Sequence, residues 1–135
     1  MPTKTPGTSI MRTPLGQMRG LGAARSGTGV WWAQRLTAFA LIPLTLWFVC
    51  GIIRLAGEPR AVVTHWVAQP WVAALLIALV VATFHHLQLG LQVVIEDYIH
   101  AENSRLVSLL VMKGAVLLLA LLSVIAVLKM AIAPG

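Results

Sequence analysis

From Trp71 to Ile95 the chain carries no Asp, Glu, Lys or Arg. A run of that length exceeds what the core of a soluble domain uses. It matches the roughly 20 apolar residues that cross about 30 Å of hydrocarbon. Two further runs meet the same condition, Trp32 to Ile53 and Leu106 to Leu128, each interrupted by one cation, Arg35 and Lys113 respectively. In hydrocarbon every backbone amide must be satisfied within its own segment, so the runs are read as helices. No strand alternation competes with this reading. With 59% hydrophobic and 10% charged residues in 135, the composition is that of a small all-α integral membrane protein with three spans, approximately 32–53, 71–95 and 106–128.

Cations set the expected orientation. Lys4, Arg12, Arg19, Arg25 and Arg35 precede or open the first span, and Arg105 and Lys113 flank the link between the second and third. The opposite side has Arg54, Arg60 and Lys129. This bias predicts an amino terminus inside and a carboxyl terminus outside, with Asp97 and Tyr98 on the inner side. Trp31 and Trp32 fit the inner interfacial belt, and Trp66 and Trp71 the outer one.

Residues 1–29 contain no acid and are broken by Pro2, Pro6, Pro14, Gly16, Gly20 and Gly22. No apolar signal-peptide core precedes the first span, and the Gly and Pro content opposes an amphipathic transit helix. The segment reads as a basic cytoplasmic arm lying on lipid head groups or on a partner protein. A solvated basic tail is the alternative. Residues 30–135 then form the three-helix transmembrane domain.

Cys50 is the one cysteine, which excludes disulfide frameworks and cysteine metal sites within this chain. No P-loop, GxSxG or HExxH motif is present, and no folded domain lies outside the membrane. Soluble catalytic chemistry is therefore not expected on this subunit alone, and nothing suggests nucleic-acid binding.

The polar groups of the second span are His85, His86, Gln88 and Gln92. Unsatisfied groups of this kind are costly in hydrocarbon. His86, Gly90, Val93 and Asp97 recur at i, i+4, i+7 and i+11, one face of a helix. His86 thus lies about 16 Å below Asp97, near the bilayer centre. From its chemistry it is either an axial ligand to haem iron or a histidine hydrogen-bonded to a neighbouring helix. Its rival His85 points about 100° away. Gly90 favours His86, since it leaves room on that face for a planar ring. A single histidine implies that a second axial ligand comes from another chain. Tyr98 can donate to a quinone carbonyl while Asp97 tunes or relays the proton, or both are ordinary interfacial residues. Arg35 either snorkels to phosphates or pairs with a buried carboxylate such as a haem propionate. Pro43 is expected to bend the first span, and Lys113 to snorkel or face the bundle interior.

These residues resemble the hydrophobic D-type anchor subunits of succinate dehydrogenase, respiratory complex II. The resemblance rests on three spans, on Arg35, Thr37 and Ala38 opening the first, and on His86, Gly90, Val94, Asp97 and Tyr98 in HLQLGLQVVIEDY. It covers roughly residues 27–128 and leaves the arm outside. It implies a membrane domain built with a second anchor subunit, the C type, and a haem b between them with His86 as this chain's iron ligand. It also implies Arg35 near the haem propionates, Tyr98 on ubiquinone and Asp97 supporting that site. An iron–sulfur subunit and a flavoprotein subunit are the soluble partners, and succinate oxidation takes place on the flavoprotein. A bacterial inner membrane is the expected location, ahead of a mitochondrial one. The anchor of a fumarate reductase is the nearest rival, and a haem-free structural or assembly protein is the next.

Overall fold

The computed structural model describes residues 27–132. Among them are four helices and no strands: α1 (Gly27–Leu55), α2 (Arg60–Val67), α3 (Pro70–Tyr98) and α4 (Glu102–Ile132). Three of these, α1, α3 and α4, are long and apolar enough to cross a membrane. The expected all-α architecture with three candidate spans is what the structure has. Residues 1–26 of the basic arm lie outside the described residues, and Gly27–Gly29 already belong to α1.

Each long helix overruns the stretch that hydropathy marks. A 29-residue helix such as α3 is about 44 Å long, against roughly 30 Å of hydrocarbon. Apolar composition reports only the part inside hydrocarbon, whereas backbone hydrogen bonding continues through the head-group zone. The ends have local causes. Pro70 occupies the first turn of α3, where its missing N–H costs nothing. The chain leaves α3 at Ile99, which is extended and whose N–H still bonds the Ile95 carbonyl at 3.0 Å. Glu102 lies in the first turn of α4 and Lys129 in its last, both favourable to the helix dipole. Pro43 sits inside α1, and the helix continues through it.

After α1 the chain turns sharply at Gly57, whose φ of +88° is a left-handed conformation that a Cβ would strain. Pro59 then leads into α2, a short helix that the apolar runs do not announce. It packs on α3 and α4. The central helix is α3, with α1 and α4 each lying along it and sharing little contact with each other.

The packed core sits at the end of the bundle where α1 finishes and α3 begins. Val67, Val72, Ala73, Leu76 and Val127 form it, with Trp47, Phe48 and Trp66 against them. Val72 is fully buried. Trp47 stacks on Trp66 with ring centres 5.7 Å apart and meets Trp71 edge-on at 6.2 Å. Gly51 makes this possible, since a Cβ there would lie 3.0 Å from the Trp66 ring. By contrast α1 has no buried residue anywhere along its length.

Candidate functional site

The other half of the α1–α3 pair is built differently. Antiparallel packing brings Thr37, nearly three turns into α1, opposite His86 in the middle of α3. Thr37 Oγ1 lies 3.0 Å from His86 Nδ1. The same hydroxyl lies 2.8 Å from the Ala33 carbonyl and 3.0 Å from the Gln34 carbonyl of its own helix. His86 is half-buried, and its other ring nitrogen, Nε2, has no hydrogen-bond partner among the described residues. One turn on, a Cβ on Gly90 would meet nothing within 4 Å, so that position opens onto free space.

His85 faces another way. It lines a cleft of about 250 Å³ with Gln88, Val116 and Leu117, between α3 and α4. The two adjacent histidines therefore serve different helix interfaces, and only His86 meets α1. Among the described residues no three His, Cys, Asp or Glu side chains gather as a metal cluster. A metal at His86 would need further ligands from beyond them.

Toward the Tyr98 end, a cavity of about 360 Å³ lies between the start of α1 and the end of α3. Trp31, Gln34, Gln92, Val93 and Glu96 line it. Gln92 Nε2 donates to Glu96 Oε1 at 2.8 Å. Sequence reasoning missed this pair, although its four-residue spacing is the signal of a helical contact; attention to Asp97 stops one position past Glu96. Asp97 and Tyr98 are both exposed, and Tyr98 keeps 80% of its surface free at the last position of α3. Arg35 lies with its guanidinium carbon 4.1 Å from the Trp31 ring centre, a cation–π contact, on a different side of α1 from Thr37. Trp31 in turn meets Trp32 edge-on at 5.0 Å. The tryptophans thus divide as expected, Trp31 and Trp32 at one end and Trp66 and Trp71 at the other. Lys113 is exposed and does not face the bundle interior.

A larger cavity of about 580 Å³ lies at the packed end, lined almost wholly by apolar side chains such as Phe48, Leu76 and Val127. It offers nothing to a metal or a proton, and it is separate from His86.

Three long apolar helices, a mid-helix histidine held from its neighbour and an open polar end define a class: a small helical membrane subunit with groups left free for other molecules. Comparison with known proteins narrows this. The family model described as succinate dehydrogenase/fumarate reductase transmembrane subunit matches residues 9–128, and the chain belongs to that family. The match starts earlier than the resemblance carried by the residues and takes in part of the basic arm. The succinate dehydrogenase hydrophobic membrane anchor subunit of Rickettsia bellii (strain RML369-C) is 30% identical over 94 residues, covering 70% of this chain and 75% of the relative. The corresponding subunit of Paracoccus denitrificans is 30% identical over 86 residues, 64% of this chain and 67% of the relative. The succinate dehydrogenase membrane anchor subunit of Reclinomonas americana is 27% identical over 98 residues, 66% and 77% of the two chains. No solved structure matches the chain.

Proposed function

We propose that this chain is one of two anchor subunits that hold the flavoprotein and iron–sulfur subunits of a succinate dehydrogenase on a bacterial inner membrane. It contributes His86 to a haem b and Tyr98, with Asp97, to a ubiquinone site. The amino terminus faces the cytoplasm, so that the Tyr98 end meets the soluble subunits. The basic arm meets those subunits or anionic lipid. The observation that carries the reading is the His86 arrangement. An imidazole near the middle of a long apolar helix is held through Nδ1 by Thr37, leaves Nε2 uncommitted, and has open space one turn away at Gly90.

These residues fit a haem. Neutral imidazole is a good axial ligand, and open space beside it is what a planar macrocycle requires. Haem bound there supplies a one-electron redox centre near the quinone. The rest is done by the chain's own groups. His86 would hold the iron, with a further ligand from a second anchor subunit. Arg35, beside Trp31 near the start of α1, carries the planar charge that would pair with a propionate carboxylate. The Tyr98 hydroxyl donates to a quinone carbonyl and fixes the ring. Electrons arrive from the iron–sulfur subunit, and protons come from the cytoplasmic side with Asp97 and water assisting. The matched relatives all carry the succinate dehydrogenase name, which favours that direction over fumarate reduction.

The test is the complex purified gently with its partners and assayed with quinone and with a water-soluble dye that takes electrons upstream of it. Flavin, iron–sulfur and b-type haem signals should accompany both activities. Copurification with none of them would refute the proposal.

A further inference from the structure

We infer that Thr37 is a positioning residue that fixes His86 in the Nδ1–H form and so presents Nε2 as a bare lone pair to an iron. This rests on the reading of His86 as a haem ligand, and it concerns how this chain prepares that ligand.

The hydroxyl of Thr37 has one proton and three neighbours within reach. Two of them, the Ala33 and Gln34 carbonyl oxygens, can only accept. If the proton went to His86 Nδ1, the Thr37 oxygen would face two carbonyl oxygens at 2.8 and 3.0 Å with no hydrogen between them. With the proton on a carbonyl, the oxygen is free to accept, and Nδ1–H completes the chain. Other hydroxyls in these helices show the same preference. Thr83 Oγ1 donates to the Leu79 carbonyl at 2.7 Å and Ser123 Oγ to the Leu119 carbonyl at 2.8 Å, both four residues back, as Thr37 does to Ala33. Thr37 differs only in having a histidine on its acceptor side.

A neutral imidazole carries one proton, so protonation at Nδ1 leaves Nε2 unprotonated. A hydrogen bond from the distal nitrogen is the usual means by which a ligating histidine is oriented and made a stronger donor. Thr37 is half-buried on the face of α1 that packs on α3, so the bond is made within one chain and needs no partner subunit.

The experiment uses the whole complex with its haem. Thr37→Val keeps the branched shape and removes the hydroxyl, whereas Thr37→Ser keeps the hydroxyl. Thr37→Val should weaken haem retention roughly 10- to 100-fold, the usual cost of losing such a partner. It should also raise the haem midpoint potential, because a less electron-rich imidazole stabilises ferric iron less. Thr37→Ser should restore both. In the reduced, diamagnetic wild-type complex with ¹⁵N-labelled histidine, His86 Nδ1 should carry a hydrogen-bonded proton. Ligation through Nε2 by itself puts a proton on Nδ1, so the deciding feature is cross-relaxation between that proton and the Thr37 side chain, which is read without any variant even where Thr37→Val fails to assemble. A wild-type Nδ1 proton that shows no contact with Thr37 overturns the inference. So does an unchanged potential and haem retention in Thr37→Val when His86→Ala has lost the haem. Haem retained unaltered in His86→Ala overturns the ligand reading itself, which is a separate failure.

Discussion

The two ends of the α1–α3 pair are finished in opposite ways. At one end Trp47, Trp66 and Trp71 lock against each other over Gly51 and the fully buried Val72. At the other, Gly90 opens onto free space, Tyr98 is exposed, and a cavity lies between Gln34 and Glu96. Lipid tails are as apolar as leucine, so burial alone does not drive helices together in a bilayer; close packing does. The tryptophan end has that packing within one chain. The His86 end has no such cluster between α1 and α3, its buried side chains Leu89, Met112 and Val116 belonging to α3 and α4, and it presents a histidine, an arginine, an aspartate and a tyrosine. The first end makes this subunit a unit, and the second makes it part of something larger.

Substitutions that treat the two ends alike should break this contrast or sharpen it. The largest effect belongs to His86. His86→Ala should abolish the low-spin b-type spectrum of the complex, while His85→Ala, which faces α4, should leave most of it. Absorption and paramagnetic resonance spectra decide between them.

The two glycines come next. Gly51→Leu forces side-chain atoms into the Trp66 ring, and overpacking of this kind costs about 1–3 kcal/mol. The complex should lose yield and thermal stability while any that survives keeps its haem. At Gly90 the Cβ of a new side chain meets nothing within 4 Å. Gly90→Leu should leave the helices intact by circular dichroism but reduce bound haem. Equal loss of thermal stability in both variants would mean that the ends do not differ as described.

Tyr98→Phe should do less. The ring remains and one hydrogen bond to the quinone is lost, worth about 0.5–1.5 kcal/mol, or roughly 2- to 13-fold in quinone activity. Dye reduction and haem content should not change. A wild-type ratio of quinone to dye activity in this variant would make Tyr98 an interfacial tyrosine only. The smallest effect is expected at Lys113, which is exposed on α4 and lines none of the cavities described. Lys113→Gln should alter neither haem nor quinone activity, as spectra and turnover would report.

Much of this organisation is legible in the order of the residues alone. The three spans follow from runs of apolar residues, because hydrocarbon imposes a length and a composition at once. The shared face of His86 and Gly90 follows from spacing, since 3.6 residues per turn align them. Other features are not accessible in that way. The short helix α2 has too few residues for a hydropathy signal and is held by packing on α3 and α4. The Thr37–His86 bond joins residues 49 positions apart, and only the antiparallel register of α1 on α3 brings them together. Arg35 is separated from Trp31 by one turn, yet their stacking depends on rotamers that spacing alone leaves open. The role of the basic arm rests on residues 1–26, outside those described.

Haem content in the intact complex bears most directly on the claim that the open end is completed by other molecules. The preparation should be detergent-purified gently, with subunit and haem stoichiometry measured on the same sample. One b-type haem per copy of this chain is expected, together with a second small hydrophobic subunit, an iron–sulfur subunit and a flavoprotein. A stable, monodisperse preparation of this chain alone, with no haem and no partner, would contradict it.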